Sequence, residues 1–133
     1  MRAGAKVVLA AGILSPILFT PGLVAQEAIV KIRAIPVKVT AYNPVRSQTD
    51  SSPLITASNK RVRAGMVALS RDLEREFGLT FGDTVYLHGF GNFVFEDRMH
   101  RRKRRHVDIL MFNPIEARGF GVKKSYLFIL EEP

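Results

Sequence analysis

From Lys31 onward, apolar residues recur at every second position in short runs, each closed by turn-forming residues. In KIRAIPVKVTAY, residues 31–42, Ile35, Val37, Val39 and Ala41 alternate with polar neighbours, which is the period of a half-buried strand. Pro36 suits an edge or a strand start, because it has no N–H to give to a ladder. NPVRSQTDSSP, residues 43–53, is rich in turn formers and reads as a loop. LITAS (54–58) and GMVALS (65–70) read as a second and a third short strand. Further strands are predicted over 84–88 and over NFVFED, where Phe93 and Phe95 alternate with Asn92, Val94 and Glu96. HVDILMF (106–112) is apolar enough for a buried strand except at Asp108, and KKSYLFIL closes the chain with another.

Two segments change period to that of a helix. RDLEREFG follows Ser70 as a cap, carries Asp72 in its first turn and stops at Gly78. NPIEARGFG has Asn113 as cap, Pro114 at the first position and Glu116 placed for a capping box, and stops at Gly119 or Gly121. There is no internal repeat and no low-complexity tract. Several short strands with two short helices in connections are too irregular for a parallel βαβ array. They fit a small closed barrel, in which closure removes exposed edges.

The first 25 residues differ from the rest. MRAGAK carries two positive charges, an uncharged apolar stretch runs on to Ala25, and QEAIVK begins polar sequence. This is the layout of a secretory signal peptide cleaved after Ala25. Pro16, Pro21 and Gly22 make the stretch a poor continuous membrane helix; an uncleaved signal anchor is the alternative. Residues 26–36 then form a tether and the start of the first strand, and residues 37–131 form the barrel domain. The expected location is the periplasm or cell envelope.

The chain has 133 residues and room for one domain; 47% hydrophobic and 24% charged residues mark it as globular. Its formal charge is +8, and removing the leader takes away Arg2 and Lys6 and no acid, which leaves +6. That sign favours anionic partners such as wall polymer, a membrane surface or nucleic acid. Export makes nucleic acid the least of these. The absence of cysteine excludes disulfides, thiolate metal sites and a cysteine nucleophile.

Candidate chemistry gathers in FEDRMHRRKRRHVDIL, residues 95–110. Asp97 and Asp108 each end or interrupt an apolar strand, where aspartate is rare and a buried carboxylate must be paired or protonated. Two strands joined by this loop can bring the carboxylates together, and such a pair raises at least one pKa, as a general acid for glycosidic cleavage requires. On spacing alone the plainer account has the stronger claim: Asp108 bonds a backbone turn and Asp97 pairs with Arg98 or Arg101. The basic run Arg101, Arg102, Lys103, Arg104 and Arg105 is either a solvated loop tip or a contact for an anionic polymer. His88, His100 and His106 lack metal-ligand spacing, Gly89 and Gly91 read as a tight turn, and no serine, histidine and aspartate fall in the order of a triad. No metal and no cofactor is expected.

The order of VTAY (39–42), an aspartate loop, ITAS (55–58), GMVALS, FGDTVYLHGFG, then ED and VDI resembles the 3D domain, named for three aspartates. That family includes the C-terminal barrel of membrane-bound lytic transglycosylase A and small stationary-phase muralytic proteins. The resemblance covers residues 37–130 and implies a mainly β fold, a closed six-stranded double-psi β-barrel that cleaves peptidoglycan glycan strands. It implies that the three aspartates are Asp50, Asp97 and Asp108. Asp108 would be the acid, Asp97 would raise its pKa or hold the sugar, and Asp50, Tyr42 and Thr56 would line the groove. The family sets a small residue and glycine after the second aspartate, whereas Asp97 is followed here by Arg98 and Met99, so this loop is bulkier and more charged. A non-catalytic wall-binding barrel is the alternative to an enzyme.

Overall fold

A computed structural model describes residues 29–44 and 54–131; the expected leader and Asp50 lie outside the described residues. The elements are β1 (Lys31–Tyr42), β2 (Met66–Leu69), α1 (Arg71–Glu76), β3 (Thr84–Leu87), β4 (Gly91–Arg98), β5 (His106–Leu110), α2 (Pro114–Phe120) and β6 (Lys123–Glu131). The strands close into a barrel in the order β1-β5-β2-β4-β3-β6. The β1/β5 and β2/β4 pairs are parallel and the other four are antiparallel. Helix α1 connects β2 to β3, and α2 connects β5 to β6. This closed barrel with helices in two connections is the fold class read from the sequence.

Alternation along each strand decides what fills the barrel. Val39, Val67, Leu69, Val85, Leu87, Phe95, Val107 and Leu127 are fully buried and belong to one core cluster, capped by Leu73 of α1. Their immediate neighbours in sequence therefore face outward. On β1, β5 and β2 those outward positions include Thr40, Tyr42, His106, Asp108 and Ala68.

Pro36 lies inside β1, opposite Tyr126 of β6. Lys38 directs its N–H to Arg105 O at 2.8 Å, on the β5 side. Two residues earlier Pro36 points the same way, short of where β5 begins, so its missing donor leaves no bond unmade. Strand β4 carries an irregularity. Val67 pairs with Phe95 but Ala68 pairs with Asp97, so Glu96 is an extra residue in the ladder. The alternation predicted over NFVFED holds as far as Phe95 and breaks there.

Two expectations are corrected. Residues 54–58 are not a barrel strand. They open a tight loop, closed by a single Ile55–Arg61 bridge and by Val62 N–H donating to Leu54 O at 3.0 Å. The Thr56 hydroxyl accepts from Lys60 N–H at 3.2 Å, and Asn59 takes a positive φ of 63°, so side-chain bonding and turn geometry override β-branched propensity. Ser70 stands at the N-cap of α1 but its hydroxyl makes no cap bond; it accepts from His106 N–H at 3.0 Å instead. In α2, Asn113 caps as expected by accepting from the N–H groups of Ile115 and Glu116, and of the two glycines read as its end Gly121 takes that place while Gly119 sits within the helix. Gly78 ends α1 with a φ of 62° while Leu79 N–H reaches back to Glu74 O at 3.0 Å.

Phe95 is 0% exposed and meets Phe81 at a ring separation of 5.0 Å. Phe95→Ala should lower the unfolding free energy by about 3–5 kcal/mol. Urea denaturation should show this as a lower midpoint with an unchanged slope.

Candidate functional site

Four adjacent strands place four outward residues in one row. Thr40 of β1 is opposite Asp108 of β5, Asp108 is opposite Ala68 of β2, and Ala68 is opposite Asp97 of β4. The two aspartates are thus two strands apart with only a methyl group between them. The slip at Glu96 is what puts Asp97 in this row.

The two carboxyl groups are treated differently. Asp97 receives three donors: Ala57 N–H at 2.8 Å and Arg98 N–H at 2.9 Å on Oδ1, and the Tyr42 hydroxyl at 3.3 Å on Oδ2. That is the coordination of a carboxylate. Asp108 is partly buried, and among the described residues only its Oδ1 is engaged, by the Thr40 hydroxyl at 2.7 Å. Burial pushes the Asp108 carboxyl above the usual range. The Thr40 hydrogen bond and Lys103 oppose that rise, and Asp97 adds to it by repulsion. Burial is therefore the main cause, ahead of the neighbouring aspartate. Tyr42 is pushed far above its ordinary value by burial, then by Asp97 and Asp108, so it remains a neutral donor.

Behind Thr40 stands His106, whose Nε2 is 2.9 Å from the same hydroxyl oxygen. A hydroxyl has one proton to give, so when Thr40 donates to Asp108 it accepts from His106 Nε2–H. His106 is buried, and burial, Lys103 and Lys38 all hold its imidazole below the ordinary value. Its backbone is tied to Ser70 in both directions, N–H to hydroxyl at 3.0 Å and carbonyl from N–H at 2.9 Å.

The plainer account of the aspartates does not describe this arrangement. Arg98 sends its guanidinium to Glu74, with Nε 2.6 Å from Oε2, and lies over the Phe81 ring at 4.3 Å. Asp97 accepts from the backbone N–H of Arg98 and not from its guanidinium, although the two charges attract, and Asp108 takes a hydroxyl, not a turn.

Tyr42, Asp97 and Asp108 are brought together; Asp50 lies outside the described residues. Thr56 is close in the chain to Ala57 but spends its hydroxyl inside its own turn, on Ser58 at 2.8 Å and Lys60 O at 3.1 Å. It holds the loop that delivers Ala57 N–H to Asp97. In the basic run, Arg101, Arg102, Lys103 and Arg104 are exposed. Arg105 is turned inward: it bonds Glu76 at 2.6 Å, stands 3.8 Å from Asp72 and lies over Phe77. It fastens the loop to α1. An open hollow of about 880 Å³ lies away from the aspartates, with Arg71, Arg75, Arg98 and Arg101 among its lining residues. Among the described residues no cluster of three His, Asp or Glu is arranged to hold a metal ion.

Thr40 and His106 were not singled out in the sequence, although each lies two residues before a residue that was. Glu96 was also missed as a fixed charge. It is 1% exposed, with Oε1 2.6 Å from Lys60 Nζ and Oε2 without a hydrogen-bond partner among the described residues. Burial pushes its carboxyl up, but hydrogen bonds from Lys60 and Ser58 and the charges of Lys60 and Arg63 outweigh that and hold it below the usual range. A carboxyl lowered in this way stabilises the fold above its unfolded pKa, and the contribution is lost as pH falls. Lys60→Met should therefore cost about 1–3 kcal/mol at neutral pH, and the difference from wild type should shrink only as pH falls below about 4, through the lowered pKa of Glu96. Urea melts at several pH values measure this. A deficit that stays constant with pH would mean that the lysine's packing, not its charge, is what matters.

Comparison with protein-family models and with curated proteins finds no match for this chain.

Proposed function

We propose that the protein cleaves glycan strands of peptidoglycan at the bond between N-acetylmuramic acid and N-acetylglucosamine, in the manner of a lytic transglycosylase. The observation that carries this reading is the unequal pair: a buried carboxyl with a raised pKa beside a carboxylate supplied with three donors. A carboxyl whose pKa is raised and a fixed acceptor next to it are the two parts that glycosidic cleavage needs.

In the first step the Asp108 carboxyl gives its proton to the glycosidic oxygen as the bond from C1 to that oxygen breaks. The Asp108 carboxylate then takes the proton from the 6-hydroxyl of the muramic sugar as that oxygen bonds C1. The product is a 1,6-anhydro end, no water is consumed, and Asp108 is returned as the acid. The Thr40 hydroxyl steadies the carboxylate between the steps. Asp97 and Tyr42 border the sugar site. The resemblance to the 3D domain supports the same assignment of Asp108, and the apolar, basic-tipped leader supports export to where peptidoglycan lies.

The exposed basic run favours a second reading, a wall-binding barrel that grips anionic polymer through Arg101 to Arg104 and does not cut.

Purified protein and its Asp108→Asn variant should be incubated with peptidoglycan sacculi and the soluble fragments weighed by mass spectrometry. Wild type should release anhydro-muramyl ends, and the variant should release them at least about 100-fold more slowly. Activity should fall as pH rises through the raised pKa of Asp108. Reducing ends would make the same site a hydrolase. No fragments, with both proteins pelleting with the sacculi, would leave the wall-binding reading.

The same variant has an opposite effect on stability. A carboxyl with a raised folded pKa contributes stability at low pH that is lost as pH rises. Asp108→Asn removes the buried charge and keeps an oxygen for Thr40 to donate to. It should resist urea better than wild type at neutral pH, with the advantage disappearing below about pH 4.

A further inference from the structure

We propose that Thr40 relays a proton between Asp108 and His106, so that the acid of this site is a three-residue unit in which His106 is a positioning residue. This rests on the reading of Asp108 as the acid, but its test does not.

The geometry consists of two short hydrogen bonds through one hydroxyl, 2.7 Å to Asp108 Oδ1 and 2.9 Å to His106 Nε2. His106 and Asp108 are two apart on β5 and so share its outer face, and Thr40 is opposite Asp108 on the parallel neighbour β1. A hydroxyl can accept at one side while it donates at the other, so the row has a direction. With Asp108 as carboxylate, His106 Nε2–H donates to Thr40 and Thr40 donates to Asp108. With Asp108 protonated on Oδ1, the row reverses: the carboxyl donates to Thr40, Thr40 donates to Nε2, and the imidazole carries its proton on Nδ1.

A third arrangement holds the same number of protons. The carboxyl proton passes to the Thr40 oxygen while the Thr40 proton passes to Nε2, leaving a carboxylate and an imidazolium. One proton crosses each hydrogen bond and no bond to carbon changes. Burial brings these two residences close in energy, because it disfavours both charged groups, pushing a carboxyl up and an imidazole down. The charged and titratable groups around the row come from every side: Lys38 and Tyr42 from β1, Lys103 from the basic loop, and Asp97 from β4. The lysines disfavour the imidazolium and Asp97 disfavours the carboxylate, which both hold the proton on Asp108, while Lys103 also favours the Asp108 carboxylate and so opposes them. Ser70 pins the His106 backbone, so the imidazole is held in reach.

The consequence is chemical. When Asp108 has given its proton to a leaving oxygen, the Thr40 hydroxyl proton swings from Nε2 to the new carboxylate and stabilises its charge. When Asp108 takes a proton back, the hydroxyl swings to Nε2 again, and His106 keeps its Nδ1 proton throughout.

The test is a titration of the whole chain, labelled with 13C and 15N, followed by NMR from about pH 3 to about pH 9. In wild type the Asp108 side-chain carboxyl carbon and the His106 ring nitrogens should each show the same two midpoints, separated by at least about 1 pH unit, as coupled sites do. Thr40→Val should reduce each to a single step of its own, and Thr40→Ser should restore both. His106→Gln keeps an N–H for Thr40 without titrating and should leave Asp108 with one step. If Thr40→Val loses its dispersed amide signals, the serine and glutamine variants carry the test. Independent single steps in wild type, or curves unchanged by Thr40→Val, would overturn the relay. Shared midpoints in a protein that releases no glycan fragments would keep the relay and remove the enzyme reading; single steps in a protein that does release them would do the reverse.

Discussion

One extra residue in β4 governs this face of the barrel. If the β2/β4 ladder ran without the slip at Glu96, strand alternation would turn Asp97 toward the core. The slip keeps Phe95 inside and returns Asp97 to the outer row beside Asp108. It also buries Glu96, and a buried carboxylate is costly unless it is bonded. Lys60 supplies that bond, and Ser58 N–H donates to the carbonyl of the same residue at 3.1 Å. The loop over residues 54–62 is therefore drawn onto β4 by the group that the slip buried. Once there, the loop gives Ala57 N–H to Asp97. The slip, the ion pair, the loop and the coordination of Asp97 form one linked arrangement.

Two aspartates in one row would otherwise behave alike. Their difference comes from what each is given. Asp97 has backbone donors on one oxygen and the phenol on the other, so both oxygens act as acceptors. Among the described residues Asp108 has one hydroxyl, and it is partly shut off from water, so charge suits it less. Environment separates the two roles, as it does wherever a pair of carboxyl groups divides acid from acceptor.

Much of the fold was legible because its signals are local. Strand period marked β1 and β4, short runs between turn formers marked β2, β3, β5 and β6, and Asn113 and Gly78 marked helix ends by their own side-chain and backbone chemistry. The failures are cases where a distant group intervened. Ser70 stands where a cap should stand, but His106 N–H from another strand takes its hydroxyl. Residues 54–58 have strand composition, but Thr56 bonds within its own turn. Arg105 is indistinguishable from its neighbours in the basic run until Asp72 and Glu76 of α1 select it. Asp97 and Asp108 stood out as acids in apolar strands. Thr40 and His106 lie on the same strand faces as Tyr42 and Asp108, two residues away, but their meeting depends on the parallel register of β1 with β5, which no local pattern records. The slip at Glu96 has no local signal either.

Pro36 has a meaning beyond its fit to β1. Among the described residues, positions 31–37 pair with β6 alone, so this half of the strand keeps an open side. On that side the N–H groups of Ile32 and Ala34 point outward, and Pro36 has none to continue the row. Ile32 and Leu130 are also exposed and sit opposite each other, 62% and 67% accessible. An apolar ribbon with an open edge invites a foreign strand to add to it, and edge-to-edge growth is how soluble barrels become aggregates. Pro36 interrupts that template after two donors. The residue that costs the barrel no hydrogen bond thus also leaves this edge one donor short as a template for another strand.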